Sequence, residues 1–164
     1  MCSNVILIGF MGSGKTTIGR KLAQRLDEIL IDTDNIIESN YGMKICNFFN
    51  NFGEEKFREV EKNLCIWCEK NLNNAIIATG GGMPTIYNMK KLGKVIFLDT
   101  PFNEIKNRIL NDEIENRPMI KDLENTKMLY NKRFKIYQNM ADFSVNTLDS
   151  KENIVEKIYH YLRG

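Results

Sequence analysis

The stretch from Gly9 to Thr16 carries the residues whose types and spacing point most directly to chemistry. It reads Gly-Phe-Met-Gly-Ser-Gly-Lys-Thr and matches the pattern G-x-x-x-x-G-K-[ST] at every fixed position. Glycines let the backbone turn its N–H groups toward phosphate oxygens, and a helix that begins near Lys15 adds the positive end of its dipole. The lysine would reach the β- and γ-phosphates of ATP, and the Thr16 hydroxyl would bind Mg²⁺. The residues expected to bind ATP are Gly12, Ser13, Gly14, Lys15, Thr16 and Thr17.

Two aspartates follow a second apolar run. Asp32 and Asp34 come directly after Ile29–Ile31, and alternation would point them to the same side of a strand end. Transfer of a phosphoryl group to an alcohol needs a group that orients the hydroxyl and accepts its proton. We assign that catalytic role to Asp34 and expect Asp32 to hold Mg²⁺ through water. The alternative is that one or both aspartates cap the helix that starts near Asn35.

Three successive glycines follow a third apolar run. Gly80, Gly81 and Gly82 come directly after Thr79. Such a run costs conformational entropy and therefore needs a reason. Close approach of a ligand to the backbone is one reason, and a tight turn from strand to helix is the other.

Arginines are the remaining candidates for ligand binding. Arg58 has Glu61 three residues later on the same helical face, Arg117 stands in a polar stretch, and Arg133 lies in a helical pattern. Guanidinium groups suit carboxylates and phosphates. A single arginine is usually a solvated surface charge, so a ligand-binding role for these three is indicated only together with a recognisable pattern.

The elements that must position these groups alternate between apolar runs and helical patterns. This alternation predicts a parallel sheet with right-handed crossovers, in which ligands bind at the carboxyl ends of the strands. Residues 111–122 are polar and contain Arg117, so they form either a mobile lid or a plain surface connection. The predicted strands are 5–8, 29–31, 75–78, 95–98 and 143–145, and the predicted helices are 15–26, 34–41, 45–73 with a break near Gly53, 85–92, 102–110, 123–140 and 151–162.

Length and charge narrow the class of protein. A chain of 164 residues is about one domain, and its formal net charge of +2 is too small to indicate nucleic-acid binding. The first residues lack the features of a signal peptide, and no apolar run reaches the length of about 18 residues that a membrane span needs. We expect a cytoplasmic protein, monomeric by default, that acts on small molecules.

The four cysteines leave one further question. Cys65 and Cys68 form a C-x-x-C, which can mark a zinc or redox site. They lie inside a helical pattern, with no second C-x-x-C, and His160 is the only histidine. A closed zinc site needs four ligands, so we interpret Cys65 and Cys68 as ordinary cysteines that pack a helix. Free thiols of this kind fit a reducing compartment.

Taken together, the motifs resemble those of the shikimate kinase family, which has a P-loop fold like that of nucleoside monophosphate kinases. They come in the order and at the spacing of that family, and they span nearly the whole chain. The matching segments are Gly9–Thr16, Asp32-Thr33-Asp34, Phe57-Arg58-Glu59-Val60-Glu61, Thr79–Gly82, Arg117-Pro118 and Arg133…Tyr137…Ala141.

The resemblance implies transfer of the γ-phosphate of ATP to the 3-hydroxyl of shikimate, with Mg²⁺ as cofactor. It implies an α/β/α fold with a five-stranded parallel sheet of order 2-3-1-4-5 in one kinase domain (1–164), with substrate-binding helices at about 33–61 and a lid at about 111–122. Arg117 would close over the nucleotide phosphates, and Arg108 resembles the family's adenine-stacking arginine. The implied substrate-binding residues are Asp34, Arg58, Gly80, Gly81, Gly82 and Arg133, with Ile45, Phe49 and Phe57 as an apolar wall.

Other kinds of P-loop protein fit less well. A GTPase would need N-K-x-D, and the nearest string, Asn131–Phe134, lacks the aspartate. A gluconate-type kinase also acts on a hydroxylated carboxylate, but such relatives lack the triple glycine of Gly80–Gly82. A nucleoside monophosphate kinase would need a second nucleotide pocket. A catalytically silent binding module stays open, although Lys15 and Asp34 argue against it.

Overall fold

Five strands form the centre of the computed structural model, which describes residues 3–111 and 122–164. The sheet is wholly parallel and has the order β2-β3-β1-β4-β5, as predicted. Each predicted strand is present, and four of the five extend by one to three residues. The strands are β1 (Asn4–Ile8), β2 (Ile29–Asp32), β3 (Ala75–Ala78), β4 (Gly93–Asp99) and β5 (Phe143–Asn146).

The register of the strands brings their carboxyl ends to one edge. Leu7 of β1 lies opposite both Ala78 of β3 and Ile96 of β4, and Asp32 at the end of β2 also pairs with Ala78. The chain segments that follow β1, β2 and β3 therefore leave the sheet side by side. These are the segments that carry the phosphate-loop motif, the aspartates and the three glycines.

Helices cover both faces of the sheet, which gives the three-layer α/β/α architecture. On one face Leu7, Ile76 and Ile96 pack with Ile18 and Ile158, from the first and last helices. On the other face Ile77 and Phe97 pack with Cys65, Ile105 and Tyr137. The helices are α1 (Lys15–Leu26), α2 (Thr33–Tyr41), α3 (Ile45–Asn71), α4 (Phe102–Asn111), α5 (Leu123–Met140) and α6 (Lys151–Arg163).

The predicted helix over 85–92 is wrong. Two short 3₁₀ turns, Met83–Thr85 and Met89–Lys91, occupy this part of the chain. The side chain of Asn88 accepts the N–H of Lys90 and so caps the start of the second turn. The connection from β3 to β4 is therefore compact but not a regular helix.

Helix α3 is broken within its length, as predicted. Gly53 has φ 79° and ψ 171°, which no helical residue adopts. A side chain at this position would meet no neighbouring atom within 4 Å, so the positive φ alone is the reason for glycine.

Cys65 and Cys68 lie on α3 and are each 1% exposed, in the core between α3 and the sheet. Their thiols are free, and burial raises the pKa of Cys65 to about 12 and that of Cys68 to about 11. These cysteines therefore serve packing.

No helix in the described ranges is long and apolar enough to cross a bilayer.

A buried amide at the start of the first strand connects it to three other parts of the chain. The side chain of Asn4 donates to the carbonyls of Leu72 and Leu92, at 2.9 Å each, and accepts the N–H of Ala75 at 3.1 Å. Asn4 is only 3% exposed, so water cannot replace these bonds.

We therefore predict that Asn4→Ala lowers the free energy of unfolding by about 3 kcal/mol, because each unpaired buried polar group costs about 1 kcal/mol or more. Urea denaturation of the purified protein measures the change. Asn71→Ala is the matched control, since that amide also donates to a backbone carbonyl but at the surface. Equal stability of the two variants would contradict the assignment.

Candidate active site

A cavity of about 600 Å³ opens at the carboxyl edge of the sheet. It brings together ten of the site residues that the sequence predicts. These are Gly12, Ser13, Gly14, Lys15, Thr16, Thr17, Asp32, Asp34, Gly81 and Arg108.

The loop between β1 and α1 is shaped by glycines. Gly12 and Gly14 have φ values of 75° and 92°, in the left-handed region that favours glycine. Helix α1 begins at Lys15 without a side-chain cap and without an acidic residue in its first turn. Its first N–H groups and the positive end of its dipole are therefore available to an anion.

The ammonium group of Lys15 lies against this loop. Its Nζ donates to the carbonyls of Gly9 and Phe10 at 2.8 and 2.9 Å, and it lies 3.4 Å from the hydroxyl oxygen of Ser13. The loop thus holds a positive charge beside the uncapped helix end, which makes the cavity suited to phosphate groups.

Asp32 caps helix α2, one of the two roles considered for it, and also contacts the phosphate loop. Its Oδ1 accepts the N–H groups of Asp34 and Asn35, so it caps α2. Its Oδ2 accepts the hydroxyl of Thr16 at 2.6 Å, so it also reaches the phosphate loop. Asp34 lies in the first turn of α2 and not in a strand, so alternation is not the reason that both carboxylates line the cavity.

The donor set at Thr16 and Asp32 fits Mg²⁺ in a particular way. Hydroxyl and carboxylate oxygens are the ligands that this ion prefers, and in nucleotide sites one or two of them act together with water and phosphate oxygens. In the part of the chain that the structure describes, no three His, Cys, Asp or Glu side chains form a group that could hold a metal. These residues therefore suit an ion that is shared with a bound nucleotide.

The glycine turn Thr79–Gly82 lies beside charged side chains. A Cβ atom on Gly80 would lie 2.7 Å from Asp34 Oδ1 and 2.8 Å from Glu61 Oε1. A Cβ atom on Gly82 would overlap the guanidinium group of Arg58. These glycines are therefore required by close packing against the charged side chains, which brings the backbone of the turn to the site.

Arg58 is held by two carboxylates of its own helix. Its guanidinium contacts Glu61 at 2.5 Å and Glu54 at 3.0 Å. Burial would lower the pKa of Arg58, but the two carboxylates outweigh it and raise the pKa. Glu61 is 1% exposed, and burial raises its pKa against the opposing attraction of Arg58. The expected same-face pairing of Arg58 and Glu61 is present.

Arg133 is a buried cation that faces the glycine turn. It is 7% exposed, and burial lowers its pKa. One of its Nη atoms lies 3.5 Å from where a Cβ atom of Gly81 would stand, and its Cζ lies 5.9 Å from the centre of the Phe10 ring. No carboxylate among the described residues forms an ion pair with it at salt-bridge distance, so an anionic ligand would meet a guanidinium whose charge burial leaves poorly solvated.

Arg108 forms one wall of the cavity. It donates to the carbonyls of Gly12 and Thr147, at 3.2 and 3.3 Å, and pairs with Glu104 at 2.9 Å.

The segment after β5 completes this wall. Its residues carry no motif that identifies them from the sequence, although the rule that ligands bind at the carboxyl ends of strands applies to β5 as well. The residues of this segment that line the cavity are Thr147, Asp149, Lys151 and Ile154.

Three groups of predicted residues lie beside this cavity, away from it or outside the description. Around the glycine turn next to the cavity lie Arg58, Gly80, Gly82 and Arg133. Phe57 is buried with Ile37 and Phe48, and Ile45 and Phe49 pack against them, so this apolar group forms a small core of its own. Arg117 and the central part of the predicted lid, 112–121, lie outside the described residues.

Comparison with known proteins points to one family. A family model described as shikimate kinase matches residues 11–163. A shikimate kinase from Helicobacter hepaticus is 44% identical over 155 residues, which cover 94% of this chain and 93% of the relative. A solved shikimate kinase from Acinetobacter baumannii in complex with shikimate has a TM-score of 0.88 and 28% identity, covering 99% of this chain and 93% of that one. The shikimate kinase structure from Bacteroides thetaiotaomicron has a TM-score of 0.89 and 27% identity, and the match covers all of both chains.

The phosphate loop leads to a prediction about Lys15. We expect Lys15→Ala to lower ATP turnover by about 100-fold or more, because a positioned charge that stabilises phosphate oxygens is lost. Release of ADP measures turnover, and circular dichroism shows whether the fold is kept. Lys21→Ala is the control, since Lys21 lies on the same helix but pairs with Glu152 at the surface. Turnover that survives in Lys15→Ala would remove this lysine from the site.

Proposed function

The chain belongs to the shikimate kinase family, and from this premise we propose how its residues transfer the γ-phosphate of ATP to the 3-hydroxyl of shikimate. The products are ADP and shikimate 3-phosphate, on the route to chorismate and the aromatic amino acids. One observation carries the residue assignments: the phosphate loop, Asp34 and the glycine turn with its two arginines meet at one edge of the sheet.

The nucleotide occupies the side of the cavity formed by α1. The backbone N–H groups from Gly12 to Thr17 and the ammonium of Lys15 receive the phosphates. Arg108 and the segment after β5, which it contacts through Thr147, form the wall against the base. Arg117 is proposed to close over the phosphates.

Mg²⁺, when bound, would neutralise charge on the nucleotide phosphates. We assign its protein ligands to the Thr16 hydroxyl directly and to Asp32 through a water molecule. The 2.6 Å hydrogen bond between these two side chains keeps both oxygens at one point of the cavity. The capping bonds from Asp34 and Asn35 hold the Asp32 carboxylate in that position.

The acceptor occupies the side formed by α3, α5 and the glycine turn. Arg58 and Arg133 receive its carboxylate, and the turn backbone contacts the ring. Arg133 is buried and points toward Gly81, which supports this role. Because Glu61 and Glu54 fix the guanidinium of Arg58, this arginine loses little freedom when a ligand binds.

Asp34 carries out the proton transfer. Its carboxylate accepts a hydrogen bond from the reacting hydroxyl and takes the proton as the hydroxyl oxygen bonds to the γ-phosphorus. The bond between the γ-phosphorus and the oxygen that bridges to the β-phosphate breaks, and that oxygen leaves on ADP. Lys15 and the loop N–H groups stabilise the charge that develops on the phosphate oxygens.

The wider organisation is proposed on the same basis. Residues 1–164 act as one kinase domain, in which 33–61 binds the acceptor and 111–122 serves as the lid. The protein works as a monomer on small molecules, without nucleic acid or membrane. The free thiols of Cys65 and Cys68 support a reducing, cytoplasmic setting.

A coupled assay for ADP release tests the acceptor. We expect saturable ADP release with shikimate, and only background release with gluconate or AMP in parallel reactions. Each reaction contains the same ATP and Mg²⁺ concentrations, so the acceptor is the only variable. Release with gluconate but not with shikimate would overturn the assignment.

The two sides of the acceptor site predict different kinetic defects. Asp34→Asn should lower kcat by about 100-fold or more with a smaller change in KM, since it removes the proton acceptor. Arg133→Ala should mainly raise KM for shikimate, by about 10-fold or more, since it removes a charge-assisted hydrogen bond. Asp27→Asn and Arg163→Ala are the matched controls, because both positions lie at the ends of helices away from the cavity. Unchanged kcat in Asp34→Asn would remove it from the catalytic role.

A further inference from the structure

The glycine turn is tied to its surroundings by side-chain hydroxyl groups from both sides. We propose that Tyr137 and Thr33 are positioning residues that hold the turn Thr79–Gly82 in the shape that receives the acceptor. The inference rests on the proposed function, because it concerns the acceptor side of the same site.

Tyr137 reaches the turn from helix α5. Its hydroxyl donates to the carbonyl of Gly81 at 2.6 Å, and its side chain is only 1% exposed. Its ring packs against Phe97 of β4, with ring centres 5.4 Å apart, so the sheet fixes its direction. Arg133 lies one helical turn earlier and also faces Gly81. A single helix therefore sets both the peptide of Gly81 and the guanidinium beside it.

Thr33 reaches the turn from the opposite side, at the start of α2. Its hydroxyl oxygen accepts the N–H of Gly80 at 2.8 Å, and the residue is 1% exposed. It stands between Asp32, which contacts Thr16, and Asp34, the proposed proton acceptor. The same short segment thus links the turn to the phosphate loop.

These bonds decide which groups of the turn can meet a ligand. The N–H of Gly80 is used by Thr33, and the carbonyl of Gly81 is used by Tyr137. The carbonyl of Gly80 accepts the N–H of Met83, and the carbonyl of Gly82 accepts the hydroxyl of Thr85. Among residues 3–111 and 122–164 no hydrogen-bond partner is found for the N–H groups of Gly81 and Gly82, so these donors are the ones that the acceptor could meet. Rotation of the peptide between Gly81 and Gly82, which has no side chain to resist it, would turn the Gly82 donor away.

The ionisation of Tyr137 supports its role as a hydrogen-bond donor to the glycine turn. Burial raises its pKa to about 12, against the lowering effect of the neighbouring Arg133. The hydroxyl therefore keeps its proton throughout the pH range in which such an enzyme works. Phenylalanine would preserve the packing and remove only the hydrogen bond.

The test compares steady-state kinetics of Tyr137→Phe and Thr33→Val with those of the wild type. Each variant should raise KM for shikimate about five-fold, the factor expected for one lost hydrogen bond, with KM for ATP unchanged. Thr33→Ser should restore the wild-type value, because it returns the hydroxyl. Tyr130→Phe is the matched control, since that hydroxyl also donates from α5 to a backbone carbonyl, but to Thr100.

A merely structural role would give another pattern. Lower melting temperatures with equal changes in both KM values, or an unchanged KM for shikimate in both variants, would overturn the inference. Amide hydrogen exchange measured by NMR provides a readout that needs no acceptor: the N–H of Gly80 should exchange faster in Thr33→Val than in wild type or Thr33→Ser, and unchanged exchange counts against the inference. If the wild type fails to use shikimate, the proposed function fails, and the exchange result still decides whether the hydroxyls hold the turn.

Discussion

Parallel pairing of the strands is the constraint on which the site depends. Because all five strands run the same way, the segments that follow them leave at one edge. Residues that are distant in sequence then lie close together. Thr16 and Asp32, for example, are joined by a hydrogen bond of 2.6 Å. A shift of β2 by one residue against β3 would move Asp32 by about 3.3 Å along the strand and break that contact.

The close approach of backbone to charged side chains is the second constraint. At Gly80 and Gly82 any Cβ atom would meet a carboxylate or a guanidinium. The triple glycine is thus a packing requirement as much as a turn requirement. Its conformational freedom then needs other restraints, and the hydroxyls of Thr33 and Tyr137 provide them at both ends of the Gly80–Gly81 pair.

Much of this arrangement could be predicted from the sequence. The apolar runs before Gly9, Asp32 and Thr79 are short and bounded by turn residues, so the strands could be placed from the residues themselves. Their order was implied only by the family resemblance. The two contacts of Asp32 could not be predicted together, because capping of α2 and contact with Thr16 both depend on the angle at which α2 leaves the sheet. The side chains from Asp149 to Ile154 were not assigned for a related reason: they carry no recognisable motif, and only the position of β5 places them in the cavity.

Burial of charge links the fold to the proposed chemistry. A guanidinium taken out of water costs free energy unless a partner offsets it. Arg58 has such partners in Glu54 and Glu61, whereas Arg133 lies beside the glycine turn and the ring of Phe10. A carboxylate that enters beside Arg133 would relieve a cost that the folded protein already bears. The core formed by β4 and α5 sustains that cost, and a guanidinium buried in this way would favour an anionic ligand over a neutral one.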